Sequence, residues 1–176
     1  MRLAGMHIET WAARWPWAAG LASGALLAGA HAFQTFAGLA PCILCLRQRE
    51  AHWAVVGIAI AAIIAGFVWR TPMTRRIGAG LLGAAFLVAA GWAGYHVGVE
   101  FKWWPGPAAC AGGGLGDISA ASIAEALGQA RKVVRCEDVA WSLFGISMAG
   151  WNGLASLAMA GASFAITALD RGFRND

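Results

Sequence analysis

Charge is what this sequence has least of. Asp, Glu, Lys and Arg make up only 12% of its 176 residues, while 59% are hydrophobic. Soluble domains carry about 25% charged residues and roughly 45–50% apolar ones. A soluble fold of this length could not hide so much apolar surface. No long basic stripe accompanies the net charge of +4, which excludes a nucleic-acid surface. The chain also shows no internal repeat and no low-complexity tract. Cysteine is scarce too, with four residues in all, and these become the centre of the argument.

What is present in quantity is small and aromatic. The 24 glycines would weaken helices in water, but small residues let helices approach closely in a bilayer. Of the ten tryptophans, Trp11, Trp15, Trp17, Trp69, Trp103, Trp104 and Trp141 fall near the ends of apolar stretches. Indole favours the headgroup region, so these positions predict an aromatic belt.

Four apolar stretches, about 17–39, 51–69, 77–99 and 143–169, lack Lys, Arg, Asp and Glu. A transmembrane helix needs about 20 apolar residues, and within lipid the backbone must satisfy its own hydrogen bonds. The expected fold is therefore an all-α integral membrane protein, a single domain built as a four-transmembrane-helix bundle. Ala30-His31-Ala32 looks like a signal-peptidase site, but the apolar run continues to Leu39, past the length of a signal core. It is read as a span.

The connections are uneven. The 40–50 loop holds Cys42 and Cys45, and the long 100–142 loop holds Cys110 and Cys136. With four spans, both fall on one face. Arg70, Arg75 and Arg76 crowd the short second connection, and Arg2, Arg14, Arg171 and Arg174 mark the termini. The positive-inside rule puts those on the cytoplasmic side. The cysteine loops, which carry their six basic residues over about twice the length, then lie outside the cytoplasm, on an oxidising side where disulfides persist. In the long loop, Ile118–Val134 reads as a short amphipathic helix with Asp117 as N-cap, lying in the membrane interface or packed on protein.

Four cysteines allow three pairings. Cys42-Ile43-Leu44-Cys45 is a C-x-x-C, and it can close on itself, leaving Cys110 and Cys136 to close a larger loop. A zinc site usually adds a second close pair, and c-type haem attachment needs His where Leu46 stands. A structural bridge is the plainest alternative, but so small a loop adds little chain-entropy stabilisation. Reactivity is favoured by the start of a helix just after Pro41-Cys42 and by nearby Arg47 and Arg49. Thiolates are the attacking species in disulfide exchange. A redox-active pair at the membrane surface also lies within reach of a lipid-soluble electron acceptor.

Polar residues inside the spans are costly and often functional. His31, Gln34 and Thr35 share one face of the first helix and could line a head-group pocket or bond between helices. His52 is expected at the headgroups, His96 ends the third span, and Glu50 and Glu100 are expected at the interface. Asn152 and Ser156 share a face of the fourth span as helix–helix glue.

The run Pro-Cys-Ile-Leu-Cys-Leu-Arg-Gln-Arg resembles the signature of the disulfide bond formation protein B family. The likeness extends to four spans, a C-x-x-C after the first and a second cysteine pair after the third. Phe33-Gln34, His96, and Cys136-Glu137 through Trp141, Gly145 and Trp151 are similar to family positions. Arg47-Gln48 departs from the best-known member, which has an aromatic and an acidic residue there.

The resemblance implies a quinone-linked thiol oxidase of the bacterial inner membrane. A periplasmic dithiol oxidase similar to DsbA would reduce Cys110–Cys136 through Cys110, and exchange would pass the electrons to Cys42–Cys45. Cys45 would be the thiolate that delivers them to ubiquinone or menaquinone. Arg49, Gln34, His96 and His31 are the expected quinone-binding residues, no metal is expected, and the protein is expected to be a monomer. The competing classes are a metal-binding membrane protein using the four thiols and a disulfide-stapled structural protein.

Overall fold

The structure is a computed structural model and describes residues 2–107, 110 and 135–172. The amphipathic helix expected at Ile118–Val134 lies outside the described residues. Four long helices follow one another: α1 (Arg2–Phe36), α2 (Ile43–Trp69), α3 (Pro72–Glu100) and α4 (Met148–Gly172). Strands β1 (Ser142–Leu143) and β2 (Ile146–Ser147) form a small antiparallel hairpin just before α4. Among the described residues, α2, α3 and the Met148–Leu169 part of α4 are long and apolar enough to cross a membrane. Large apolar side chains such as Ile60, Ile64, Leu81, Leu87 and Leu157 point outward from these helices, the pattern a lipid-facing surface requires.

The helices start and stop where local chemistry directs. Gly38, at φ +66°, ends α1, and the amides of Ala37 and Leu39 both turn back to the Phe33 carbonyl. Cys42 is the N-cap of α2, its sulfur accepting from the Cys45 amide at 3.2 Å. Helix α2 therefore begins eight residues before the expected span and includes Cys45 and Arg49. Arg70, in the left-handed region at φ 41°, caps its far end. Thr71 then caps α3 by accepting from the Thr74 amide, with Pro72 in the first turn, a position proline suits because its missing N–H would go unpaired there. The β1–β2 turn places Phe144 and Gly145 at φ 52° and 77° between Leu143 and its partner Ile146. That pair of positive φ values is the I′ geometry favoured in two-residue hairpins.

Packing relies on small residues. Helix α3 lies mainly against α4 and α2, and α1 closes mainly on α2. A Cβ on Gly78 would meet Ala62 at 3.0 Å, one on Gly83 the Phe164 ring at 3.0 Å, and one on Gly20 Ala59 at 3.2 Å. Each glycine thus permits close contact between neighbouring helices. The core of this half of the bundle is Trp15, Ala19, Val55, Ala59, Ala79, Leu82, Phe86 and Ala160. Trp15 departs from the expected aromatic belt: it is 8% exposed and donates its indole N–H to Ser163 Oγ at 2.9 Å. Its apolar ring fills the core while the one polar atom is satisfied across α1 and α4. Trp11, Trp17, Trp69 and Trp103 are exposed.

Candidate functional site

The two cysteine pairs meet at one end of the bundle. Cys42, Leu44, Val99, Cys110 and Cys136 form a single buried cluster, with Cys45 and Tyr95 packed against it. Cys110 and Cys136 are joined by a disulfide. Cys42 and Cys45 are free thiols with their sulfurs 2.7 Å apart. The C-x-x-C pair, expected from the resemblance to close on itself, is thus open beside a closed loop disulfide. The hydrogen bond to Cys45, followed by burial, pushes the Cys42 thiol well above its ordinary range. Cys42 therefore holds its proton, and Cys45 is the sulfur left available for attack.

Beside the pair lies a cavity of about 400 Å³, within the roughly 300–1,000 Å³ typical of small-molecule sites. Its apolar wall includes Leu26, Phe33, Leu39, Trp141, Phe144 and Met148. Phe33 and Trp141 set their rings 5.1 Å apart, joining α1 to the segment after Cys136. The polar side includes Cys42, Cys45, Gln48, Arg49, His52, His96 and Asn152, with the carboxylates Glu100 and Asp138 also on the wall.

Arg49, one turn beyond Cys45, donates from Nη1 to Gln34 Oε1 at 2.6 Å and from Nη2 to the Ala30 carbonyl at 3.0 Å. Its Nε is buried with no hydrogen-bond partner among the described residues. His96 is 4% exposed, with Nε2 3.6 Å from Cys42 Sγ and 3.2 Å from the Cys136 carbonyl. Arg49 and His96 both line the cavity beside the thiols. Gln34 touches Arg49 but is exposed and lines no part of the cavity. His31 and Thr35 are also exposed and outside the cavity wall. Of the three residues at i, i+3, i+4, Gln34 alone bonds a neighbouring helix among the described residues, through Arg49.

Several site residues were missed or misplaced. His52, expected at the headgroups, is 3% exposed and bonds Ser23 Oγ at 3.1 Å and Asn152 Oδ1 at 2.7 Å. Gln48, noted only as a departure from the family, is buried against His96 Nδ1 at 2.8 Å. Glu100, expected at the interface, has a side chain 7% exposed, 4.0 Å from His96 and accepting from Ser147 Oγ at 2.5 Å. The available signal was Gln48 and His52 at i, i+4 on the helix of the C-x-x-C, a polar face in an apolar segment.

The family model for disulfide bond formation protein DsbB matches residues 3–166. The chain belongs to the DsbB family. It is also 42% identical over 80 residues to the disulfide bond formation protein B of Herminiimonas arsenicoxydans, a match covering 46% of this chain and 48% of that relative. The matched stretch thus spans about half of the relative's length. No solved structure matches the chain. The three helices long and apolar enough to cross a membrane agree with a DsbB-family membrane protein.

Proposed function

We propose that this protein reoxidises a periplasmic DsbA-like dithiol oxidase and passes the electrons to membrane quinone. The observation that carries the reading is the convergence of a loop disulfide, an open C-x-x-C and an apolar cavity edged by Arg49. In this scheme α1 is the fourth span of an inner-membrane bundle, with both termini cytoplasmic and both cysteine segments periplasmic.

The reaction runs in two exchanges. A thiolate of the partner attacks the Cys110–Cys136 disulfide, forming a mixed disulfide through Cys110. A second partner thiolate resolves it, so the partner is oxidised and the loop pair becomes a dithiol. That dithiol then reduces a Cys42–Cys45 disulfide and is itself reoxidised. The two electrons and two protons now on Cys42 and Cys45 go to quinone, giving the quinol and restoring the disulfide. Both cysteines line the cavity, but Cys42 is buried in the cluster with the loop pair, and the less buried Cys45 is the sulfur suited to that last step. The quinone head group fits the donors available: Arg49 Nε is a buried N–H with no hydrogen-bond partner among the described residues, and leaving it unpaired costs about 1–3 kcal/mol. Ubiquinone and menaquinone share the carbonyl this donor would meet.

The test is reduction of a soluble quinone by detergent-purified protein, with a reduced thioredoxin-fold dithiol protein as donor. Quinone consumption in wild type, lost in Cys45→Ser and in Cys110→Ser, supports the relay. No consumption across several quinones and donors rejects it.

A metal-binding reading has one observation in its favour: the ligand atoms of Cys42, Cys45 and His96 lie within 4.8 Å of one another. Stoichiometric zinc in protein purified without chelator, with no quinone reduction, would favour that reading.

A further inference from the structure

A line of hydrogen bonds crosses all four helices and ends at the thiols. Ser23 Oγ on α1 meets His52 Nδ1 on α2 at 3.1 Å. His52 Nε2 meets Asn152 Oδ1 on α4 at 2.7 Å. Asn152 Nδ2 meets Gln48 Oε1, back on α2, at 2.6 Å. Gln48 Nε2 meets His96 Nδ1 on α3 at 2.8 Å. His96 Nε2 then faces the Cys136 carbonyl at 3.2 Å and Cys42 Sγ at 3.6 Å. Ser23, Gln48, His52 and His96 are all buried, so their polar atoms depend on one another for partners.

Such a chain can run in two directions. Each imidazole has one donor and one acceptor nitrogen, and each amide can be turned over. Backbone carbonyls cannot be turned over, because they only accept. The Cys136 carbonyl faces His96 Nε2, so that nitrogen carries the proton. The Leu44 carbonyl lies 3.4 Å from Gln48 Nε2, so that atom is the amide nitrogen and not the oxygen. Both carbonyls select the same direction: Ser23 donates to His52, His52 to Asn152, Asn152 to Gln48, and Gln48 to His96. In the reverse direction two lone pairs would face buried carbonyl oxygens, each costing about as much as an unmade hydrogen bond.

We propose that this one-way chain fixes His96 as an Nε2–H donor aimed at the Cys42 sulfur, which makes Gln48 and Asn152 positioning residues of the thiol site. His96 therefore donates to Cys42 and does not take its proton. The catalytic meaning rests on the relay proposed above. Whenever Cys42 is displaced from a disulfide, the attacking thiolate forms the new S–S bond. The electron pair of the broken bond stays on Cys42 as a thiolate, which accepts from His96 Nε2–H and from the Cys45 amide at 3.2 Å. The same ring N–H also reaches the backbone of Cys136, so one imidazole spans both cysteine pairs.

The test reads the ring nitrogens directly. Protein labelled with 15N-histidine, in detergent, is examined by long-range proton–nitrogen NMR, with His96 assigned from a His96→Gln variant. The expected spectrum has His96 Nε2 protonated and Nδ1 bare. A proton on Nδ1 in wild type, or fast exchange between the two forms, overturns the proposal. In Gln48→Glu an acceptor replaces the amide donor, so the proposal requires a proton to appear on Nδ1; an unchanged His96 spectrum overturns it. Should that variant fail to fold, the wild-type spectrum decides alone.

The positioning role has its own readout. Gln48→Leu is expected to slow quinone reduction by about tenfold, the worth of one ordinary hydrogen bond, with KM for the dithiol donor unchanged. An unchanged rate overturns the role. If wild type has the Nε2–H form yet reduces no quinone, the relay falls and the chain stands. If quinone is reduced but Nδ1 carries the proton, the relay stands and the chain falls.

Discussion

Arg49 on α2 holds Gln34 on α1 at 2.6 Å, and this bond ties the helix bearing Cys45 to the far wall of the cavity. The guanidinium donates to Gln34 and to the Ala30 carbonyl, and its Nε has no partner among the described residues. Lysine keeps the charge but cannot serve three directions at once. Arg49→Lys is expected to raise the KM for quinone by about tenfold, the loss of one charge-assisted hydrogen bond, while exchange between the partner and Cys110–Cys136 proceeds at the wild-type rate. Steady-state kinetics with a soluble quinone and trapping of the mixed disulfide separate the two effects.

The open and closed cysteine pairs predict a labelling pattern. Protein stripped of quinone and quenched without reductant should take up two alkyl groups, mapped by mass spectrometry to Cys42 and Cys45. Quinone added before the quench should reduce the count to none. With a limiting alkylating agent near pH 8, Cys45 should react first, because its hydrogen bond and burial keep the Cys42 thiol protonated well above the ordinary thiol range.

Gly98 carries the Trp104 indole. A Cβ there would overlap the Trp104 ring, so Gly98→Ala must displace a ring that stacks on Tyr95 and donates to the Tyr95 carbonyl at 3.0 Å. Overpacking of this kind costs roughly 1–3 kcal/mol. A lower melting temperature, with altered tryptophan fluorescence, is the expected outcome.

Gly145 holds φ +77° in the hairpin that carries Leu143 and Phe144 to the cavity wall. Gly145→Ala places a Cβ in the left-handed region, costing about 1–2 kcal/mol. Weaker quinone affinity with little change in donor KM is the expected result.

Much of this site was legible because its chemistry lies in sequence-local features. The C-x-x-C, Arg49 one turn later and a second cysteine pair in the long connection need only spacing to be seen. His96 could be placed at the cysteine end from the length of its helix. The facing of α1 could not be read: Ala and Gly occur all round it, so nothing in the pattern says that Ser23 points inward and His31 outward. The links from Gln48 to Asn152 and from His52 to Ser23 join residues 104 and 29 positions apart. Such contacts arise from how helices rotate against one another, which local spacing does not encode. Trp15 was misjudged for the same reason, since its partner Ser163 lies 148 residues away.

The turn between α2 and α3 is only Arg70–Thr71. So short a tether leaves almost no loop-closure entropy to lose, and contacts between the two helices, such as Gly78 on Ala62, are near neighbours in the chain. Local contacts form fastest. During biogenesis this hairpin can be assembled before α4 has been synthesised, with Arg49 and His96 already presented. The cysteine of the long loop that contacts His96 arrives afterwards. On the proposed relay, the chain would thus gain its helical frame first and its second cysteine pair last, so a truncated or stalled chain would insert without the means to exchange electrons with a partner.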